Sequence, residues 1–121
     1  MSRYLNTVII CAAAILTLTG CGKQHDAERV VNDFLDDNLL TDNFSVSFTK
    51  LDSTRYVTDS VVKAMRTAAE KNKRFRKEIE YAPTGRQYMF MQAKVCIGQD
   101  TISQTFYLDS ALTKVVSFKE N

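Results

Sequence analysis

The chain has one histidine, three cysteines and four glycines, and no long run of one charge sign. Each scarcity removes a class of chemistry. The histidine, His25, stands four residues after Cys21 in a short polar stretch, a poor place for the base of a Ser-His or Cys-His nucleophile. Zinc sites want several His or Cys ligands at short spacings, and that pattern is missing. Gly85 and Gly98 are isolated turn glycines, so there is no glycine-rich phosphate loop. With 16 Lys and Arg against 14 Asp and Glu, the net charge is only +2, far from the strongly basic face that nucleic-acid binding calls for. The apolar stretch from Val8 to Leu18 is shorter than the ~20 residues that cross a hydrocarbon core. No cofactor and no metal follow from these residues, and nucleic acid is not an expected partner.

What is present begins with that apolar stretch. A lone Arg3 precedes it, and Leu18-Thr19-Gly20-Cys21 closes it. A basic start, an apolar run of ~7–15 residues and small residues before a cut site describe an export signal. The alternative is a buried N-terminal helix with a chance Cys. At these residues the chain resembles bacterial lipoproteins, whose lipobox reads Leu, a small or hydroxyl residue, Gly or Ala, then Cys; all four positions fit. The resemblance implies that the Cys21 thiol receives a diacylglyceryl group. It also implies a cut between Gly20 and Cys21, with acylation of the new amine. Residues 1–20 would then be a signal peptide, 21–25 a lipidated tether and 26–121 a single domain. Two or more acyl chains hold a protein on a membrane stably, each buried CH₂ adding about 0.8 kcal/mol. The expected location is the cell envelope, on the membrane through the lipid anchor. Gly22-Lys23-Gln24 has no Asp of the kind that retains lipoproteins at the inner membrane, which favours the outer membrane, on its periplasmic or surface face.

The same reading disposes of the cysteines. Cys11 leaves with the signal and lipid consumes Cys21, so Cys96 has no intrachain partner. The disulfide framework usual in small exported domains is therefore not expected, and stability must come from packing. Cys96 is either a reactive thiol or a buried small hydrophobe.

Along the chain, Ala27, Val30, Val31, Phe34, Leu35 and Leu39 recur at helical steps and predict an amphipathic helix from about Asp26 to Leu39. Asp26 and Glu28 would sit in its first turn, where the helix dipole favours negative charge. Thr41-Asp42-Asn43 reads as a turn. Phe44, Val46 and Phe48 alternate with Ser45, Ser47 and Thr49, which predicts a half-buried strand with room to extend towards Tyr56-Val57. Thr58, Asp59 or Ser60 caps a second helix with the stripe Val61, Val62, Met65, Ala68 and Ala69, fading near Asn72. Phe75, Ile79 and Tyr81 alternate weakly as a short edge strand, and Pro83-Thr84-Gly85 reads as a turn. Met89, Met91, Ala93, Val95 and Ile97 then line one face of a long strand. Gly98-Gln99-Asp100 makes a hairpin loop to a strand with Ile102, Gln104, Phe106 and Leu108 on one face. A connection at Asp109-Ser110-Ala111 leads to a last strand through Val115, Val116 and Phe118.

Two amphipathic helices and an antiparallel sheet apolar on one face can bury those sides only against each other. The expectation is an α+β domain, two helices on a curved antiparallel sheet of about four to five strands. The order of elements resembles cystatin-like and nuclear-transport-factor-like rolls over residues 26–118. The β-lactamase-inhibitor-protein-like fold is the runner-up, and the extra strand Phe44–Phe48 argues against it. The cystatins' Gln-x-Val-x-Gly is not met, since Gln92 is followed by Ala93 and then Lys94, so no inhibitory activity carries over.

Candidate site residues are few. Asp36/Asp37, Glu78/Glu80 and the helix-face pair Asp33 and Asp37 are carboxylate pairs, each of which reads equally as solvated surface. Lys71, Lys73, Arg74, Arg76 and Lys77 form a basic run suited either to anionic headgroups or an acidic partner, or to capping a helix dipole. Tyr88, Phe90 and Phe106 are candidates for lining a ligand groove, unless a second layer covers them. The expected role is a non-catalytic binding or assembly module for an envelope protein, peptide or small ligand. The alternatives are a small pocket enzyme of the nuclear-transport-factor-like type and a surface factor contacting anionic lipid or polysaccharide. The oligomeric state is left open.

Overall fold

In the computed structural model the backbone is described over residues 18–121 and the side chains from Gly22 onward. Residues 1–17 of the expected leader and the thiol of Cys21 lie outside the described residues. The elements are α1 (Leu18–Asn38), β1 (Phe44–Phe48), β2 (Asp52–Thr54), α2 (Asp59–Glu70), β3 (Tyr88–Ile97), β4 (Asp100–Asp109) and β5 (Val115–Glu120). The strands make one open antiparallel sheet in the order β1-β3-β4-β5, with β2 also on β3. The expected α+β architecture is what forms: two helices on a five-stranded antiparallel sheet.

Helix α1 buries Ala27, Val31, Phe34 and Leu35, and Leu39 continues the stripe just past its end. These side chains meet Met91, Ala93, Val95, Phe106, Leu108, Val115 and Phe118 in the main core. Phe34 is at the centre, with ring centroids 5.5 Å from Phe118 and 6.0 Å from Phe106, both edge-on.

The helix begins earlier than Asp26 and takes in Gly22–His25, the segment read as a short polar tether. Gln24 shows why. Its amide donates to Glu28 Oε2 (2.8 Å) and to the Thr49 carbonyl (3.0 Å), and accepts from the Leu51 N–H (2.7 Å). It thus fills the backbone gap where the edge strand is interrupted. Asp26 and Glu28 consequently fall outside the first turn. Asp26 serves an exposed i,i+3 pair with Arg29 at 3.0 Å instead.

β1 and β2 lie end to end along β3. Phe48 pairs with Ala93, whereas Asp52 pairs with Phe90, so three residues of the edge oppose two of β3. That extra residue is a bulge, bridged by Thr49, whose N–H donates to the Gln92 carbonyl at 2.9 Å. The β3–β4 hairpin closes through Gly98-Gln99, and Gly98 has φ 60, a conformation that favours glycine.

A second bulge lies in β5. Leu108 pairs with Val115 and Tyr107 with Ser117, leaving Val116 as the extra residue. Val115 and Phe118 stay in the main core while Val116 joins Val62, Met65, Ala82 and Tyr88 in a second cluster. Alternation along β3 and β4 puts Tyr88 and Tyr107 on the face opposite Met91 and Phe106, so α2 covers that other face near β5.

α2 starts at Thr58, whose hydroxyl accepts the Val61 N–H at 3.3 Å. The buried stripe is Val62, Met65 and Ala69. Val61 (44% exposed) and Ala68, expected in that stripe, face outward, because α2 touches the sheet along a single narrow strip beside β5.

Two further expectations fail locally. Phe75, Ile79 and Tyr81 do not form an edge strand; Phe75 makes an isolated bridge with Leu39, and Ala82 donates to the Val115 carbonyl at 2.8 Å. A ladder on β5 is blocked because Arg66 Nε already takes the next carbonyl, that of Val116, at 3.0 Å. Pro83-Thr84-Gly85 is irregular backbone, not a hydrogen-bonded turn, with its one bend at Arg86. The Gly85 N–H donates to the Tyr88 hydroxyl (2.8 Å) instead of closing a turn.

Candidate functional site

A cleft of about 700 Å³ opens where the outer face of α1 meets the 76–80 segment and the β4–β5 connection. Val30, Phe34, Ile79 and Val115 supply its apolar lining, and Asp33, Asp37, Glu78, Glu80, Arg76 and Lys114 its charges. Asp33 and Asp37 share the cleft because a four-residue step keeps side chains on one helix face. Glu78 and Glu80 arrive from a segment held at both ends. At one end the Arg76 N–H donates to the Asn38 carbonyl at 2.9 Å, and at the other Ala82 is tied to Val115. Arg76 Nη1 also reaches the Asp37 carbonyl at 3.4 Å. Lys114 and Glu80 pair across the cleft mouth at 3.7 Å, both largely exposed.

Asn38 at the α1 end of the cleft is buried, and its Nδ2 donates to the Phe34 carbonyl at 2.8 Å. The opposite wall is shaped by Asp109. Its carboxylate accepts from the Thr113 N–H (2.8 Å), the Lys114 N–H (3.0 Å) and the Thr113 hydroxyl. Burial alone would push the Asp109 carboxyl up, but these hydrogen bonds outweigh it and hold its pKa below the usual 3.8. The same connection carries Leu112 at φ 57, a left-handed conformation uncommon for a branched side chain.

Behind the cleft, Tyr81 packs on Phe34 at 6.1 Å, and the Arg66 guanidinium lies 4.8 Å from its ring centroid. Arg66 Nη2 donates to the Ala82 carbonyl at 2.7 Å. Burial pushes the Tyr81 hydroxyl up to about 12, with the Arg66 charge opposing and the Glu70 charge adding.

The carboxylates read separately in the sequence as Asp33/Asp37 and Glu78/Glu80 are thus brought to one cleft, while Asp36 is exposed on another side of α1 and does not line it. Asn38, Thr113 and Lys114 carry no sequence signal for this role, whereas Asp33/Asp37, Glu78/Glu80 and Arg76 were singled out in the sequence but not as one group. Among the described residues no group of three His, Cys, Asp or Glu side chains is placed to hold a metal ion.

The basic run divides. Arg74 pairs with Asp100 of the β3–β4 hairpin at 3.3 Å, Arg76 enters the cleft, and Lys71 borders a shallow groove between α2 and β5. Lys73 and Lys77 are exposed. Of the aromatic candidates, Phe106 is in the main core and Tyr88 lies under α2, both with under 2% exposure, so a second layer does cover them. Phe90 remains half-buried on the outer sheet face, 6.1 Å from the Tyr107 ring. Cys96 is half-buried on that same face, its Sγ 3.7 Å from Thr101 Oγ1. His25 borders a separate groove with Gln24, Glu28, Leu51 and Met89.

No family model, no curated protein and no solved structure matches this chain. Among the described residues no helix is long and apolar enough to cross a membrane.

Proposed function

We propose that the protein is a cell-envelope lipoprotein, acylated on Cys21 after removal of residues 1–20, whose α+β body is a non-catalytic binding or assembly module. The lipobox supports the anchoring. The observation that carries the binding role is the cleft between α1 and the 76–80 segment, with an apolar floor at Phe34 and Ile79 and a rim of both charge signs. Such a lining suits a peptide segment or small polar ligand, because apolar area supplies affinity while fixed charges orient the occupant. The cleft is partly open to solvent and not an enclosed cavity, which favours this reading over the closed-ended pocket of a nuclear-transport-factor-like enzyme. Arg74 and Arg76 are engaged within the protein, which disfavours a surface factor reading anionic lipid through the basic run.

Two measurements test this. Intact mass of the membrane-extracted protein should show a chain starting at Cys21 with diacylglyceryl and acyl additions, and Cys21→Ser should leave the leader uncut. A bare sulfur on a full-length product overturns the anchoring. A photo-cross-linking residue at Asp33 should trap an envelope protein or peptide, and Glu78→Arg should reduce that adduct without changing the melting temperature. Adduct formation indifferent to Glu78→Arg removes the cleft from the binding role.

A further inference from the structure

The two edges of the sheet are treated differently. β5 is covered by the 75–82 segment and by Arg66 of α2. Among the described residues no strand lies on the outer side of β1. The Thr49 N–H donates inward to the Gln92 carbonyl, and Thr49 continues the β1–β3 register opposite Gln92. In an antiparallel ladder inward-bonded and outward-pointing residues alternate, so Ser45 and Ser47 bond inward, while Phe44, Val46 and Phe48 direct N–H and C=O away from β3. Within Phe-Ser-Val-Ser-Phe no charge and no proline guards the edge, and the bulge comes only after it, at Thr49–Leu51.

That sequence reads the same in both directions about Val46, and the agreement extends past the strand. If a second β1 pairs antiparallel with Val46 opposite Val46 of the copy, Phe44 meets Phe48 and Ser45 meets Ser47. Beyond them Asn43 meets Thr49 and Asp42 meets Lys50, on both flanks. The outward groups at 44, 46 and 48 then pair with one another, each pair exchanging both N–H···O bonds. Asp42 and Lys50 are exposed, so each is available to its counterpart. Shifting the register by two residues loses one of those pairs; in one direction it places Asp42 opposite Asp52 of the copy, a like-charge contact.

We infer that β1 is a self-association edge. Two copies of this chain join through antiparallel β1–β1 pairing about a two-fold axis at Val46, giving one continuous sheet across both bodies. The occupant is specified by complementarity to itself: the aromatic, hydroxyl and charge patterns of the strand and its flanks all match when the partner is the same segment reversed. The interface is isologous and closes at two copies. It is independent of the cleft and of the binding role proposed above.

The full-length chain is the material for the test. Val46→Cys should give a disulfide-linked dimer in intact cells under mild oxidation, with a 46–46 cross-linked peptide identified by mass spectrometry. Ser47→Cys should not link to itself, since its counterpart is Ser45. In sedimentation of the purified full-length chain, Asp42→Lys should weaken dimerisation about three- to tenfold, in line with losing two exposed ion pairs. Adding Lys50→Asp to it should restore the parent affinity, a rescue that a general surface or folding effect would not produce. A chain that stays monomeric at the highest soluble concentration and gives no 46–46 peptide overturns the inference. So does linking through Ser47→Cys but not Val46→Cys, or an Asp42→Lys defect that the second swap leaves unrepaired.

Discussion

Among the described residues, Gln104 is the buried side chain whose polar atoms find no hydrogen-bond partner; it lies opposite Ala93 at 1% exposure. A buried amide left unpaired costs about 1–3 kcal/mol. Gln104→Leu, close in volume, should therefore raise stability by about 1–3 kcal/mol. For a domain of this size that is roughly 4–8 °C in melting temperature for each kcal/mol. Unchanged or lower melting would mean the amide is satisfied in solution. Tyr81 makes a prediction in pH. Its folded pKa of about 12 exceeds the ordinary 10.0, so the stability tied to its neutral hydroxyl is complete below pH 10.0 and lost as pH climbs through about 12. Tyr81→Phe should flatten the alkaline limb of denaturant midpoint against pH between those values. Tyr107, whose hydroxyl burial also pushes up, should contribute to the slope that persists.

At the scale of elements, α2 depends on its cap. Thr58→Ala removes the acceptor for the Val61 N–H and should cost about 1 kcal/mol, with faster amide exchange in the first turn of α2 than in α1. Equal exchange in both helices would show that the cap contributes nothing. The cap was narrowed in the sequence to Thr58, Asp59 or Ser60, and β1, β3, β4 and the Gly98 hairpin were legible, because period-two alternation and turn glycines are local signals. What was not legible depends on partners far along the chain. Val61 and Ala68 share an apolar helix surface with Val62 and Met65, and only the narrowness of the contact beside β5 turns them outward. Phe75, Ile79 and Tyr81 look like a strand until Arg66 occupies the carbonyl such a strand would need. The cleft was hidden for the same reason: Asp33 and Glu78 lie on segments brought together by the Asn38–Arg76 hydrogen bond, which no spacing announces.

For the molecule as a whole, stability comes from packing of α1 on the sheet, with no covalent staple among the described residues; Cys96 is free. Melting temperature should be the same with and without a thiol reductant, and a drop on reduction would reveal a cross-link that the fold does not use. Phe34 is where that packing is most concentrated, touching Phe75, Tyr81, Phe106 and Phe118. Phe34→Ala should cost about 3–5 kcal/mol, read as a shift in denaturant midpoint, because a ring-sized void would open in the middle of the core.

Residues 22 to 25 belong to α1 and are fastened to the edge strand through Gln24, which changes what an acylated Cys21 would mean mechanically. The lipid would not hold a globule on a slack leash. A stiff post rising about 1.5 Å per residue would start directly after the fatty chains and run into the core, so the lipid would dictate which way the body points. Whatever meets the cleft would then have to approach along one fixed bearing relative to the bilayer, and nothing in the mount would swivel to greet it.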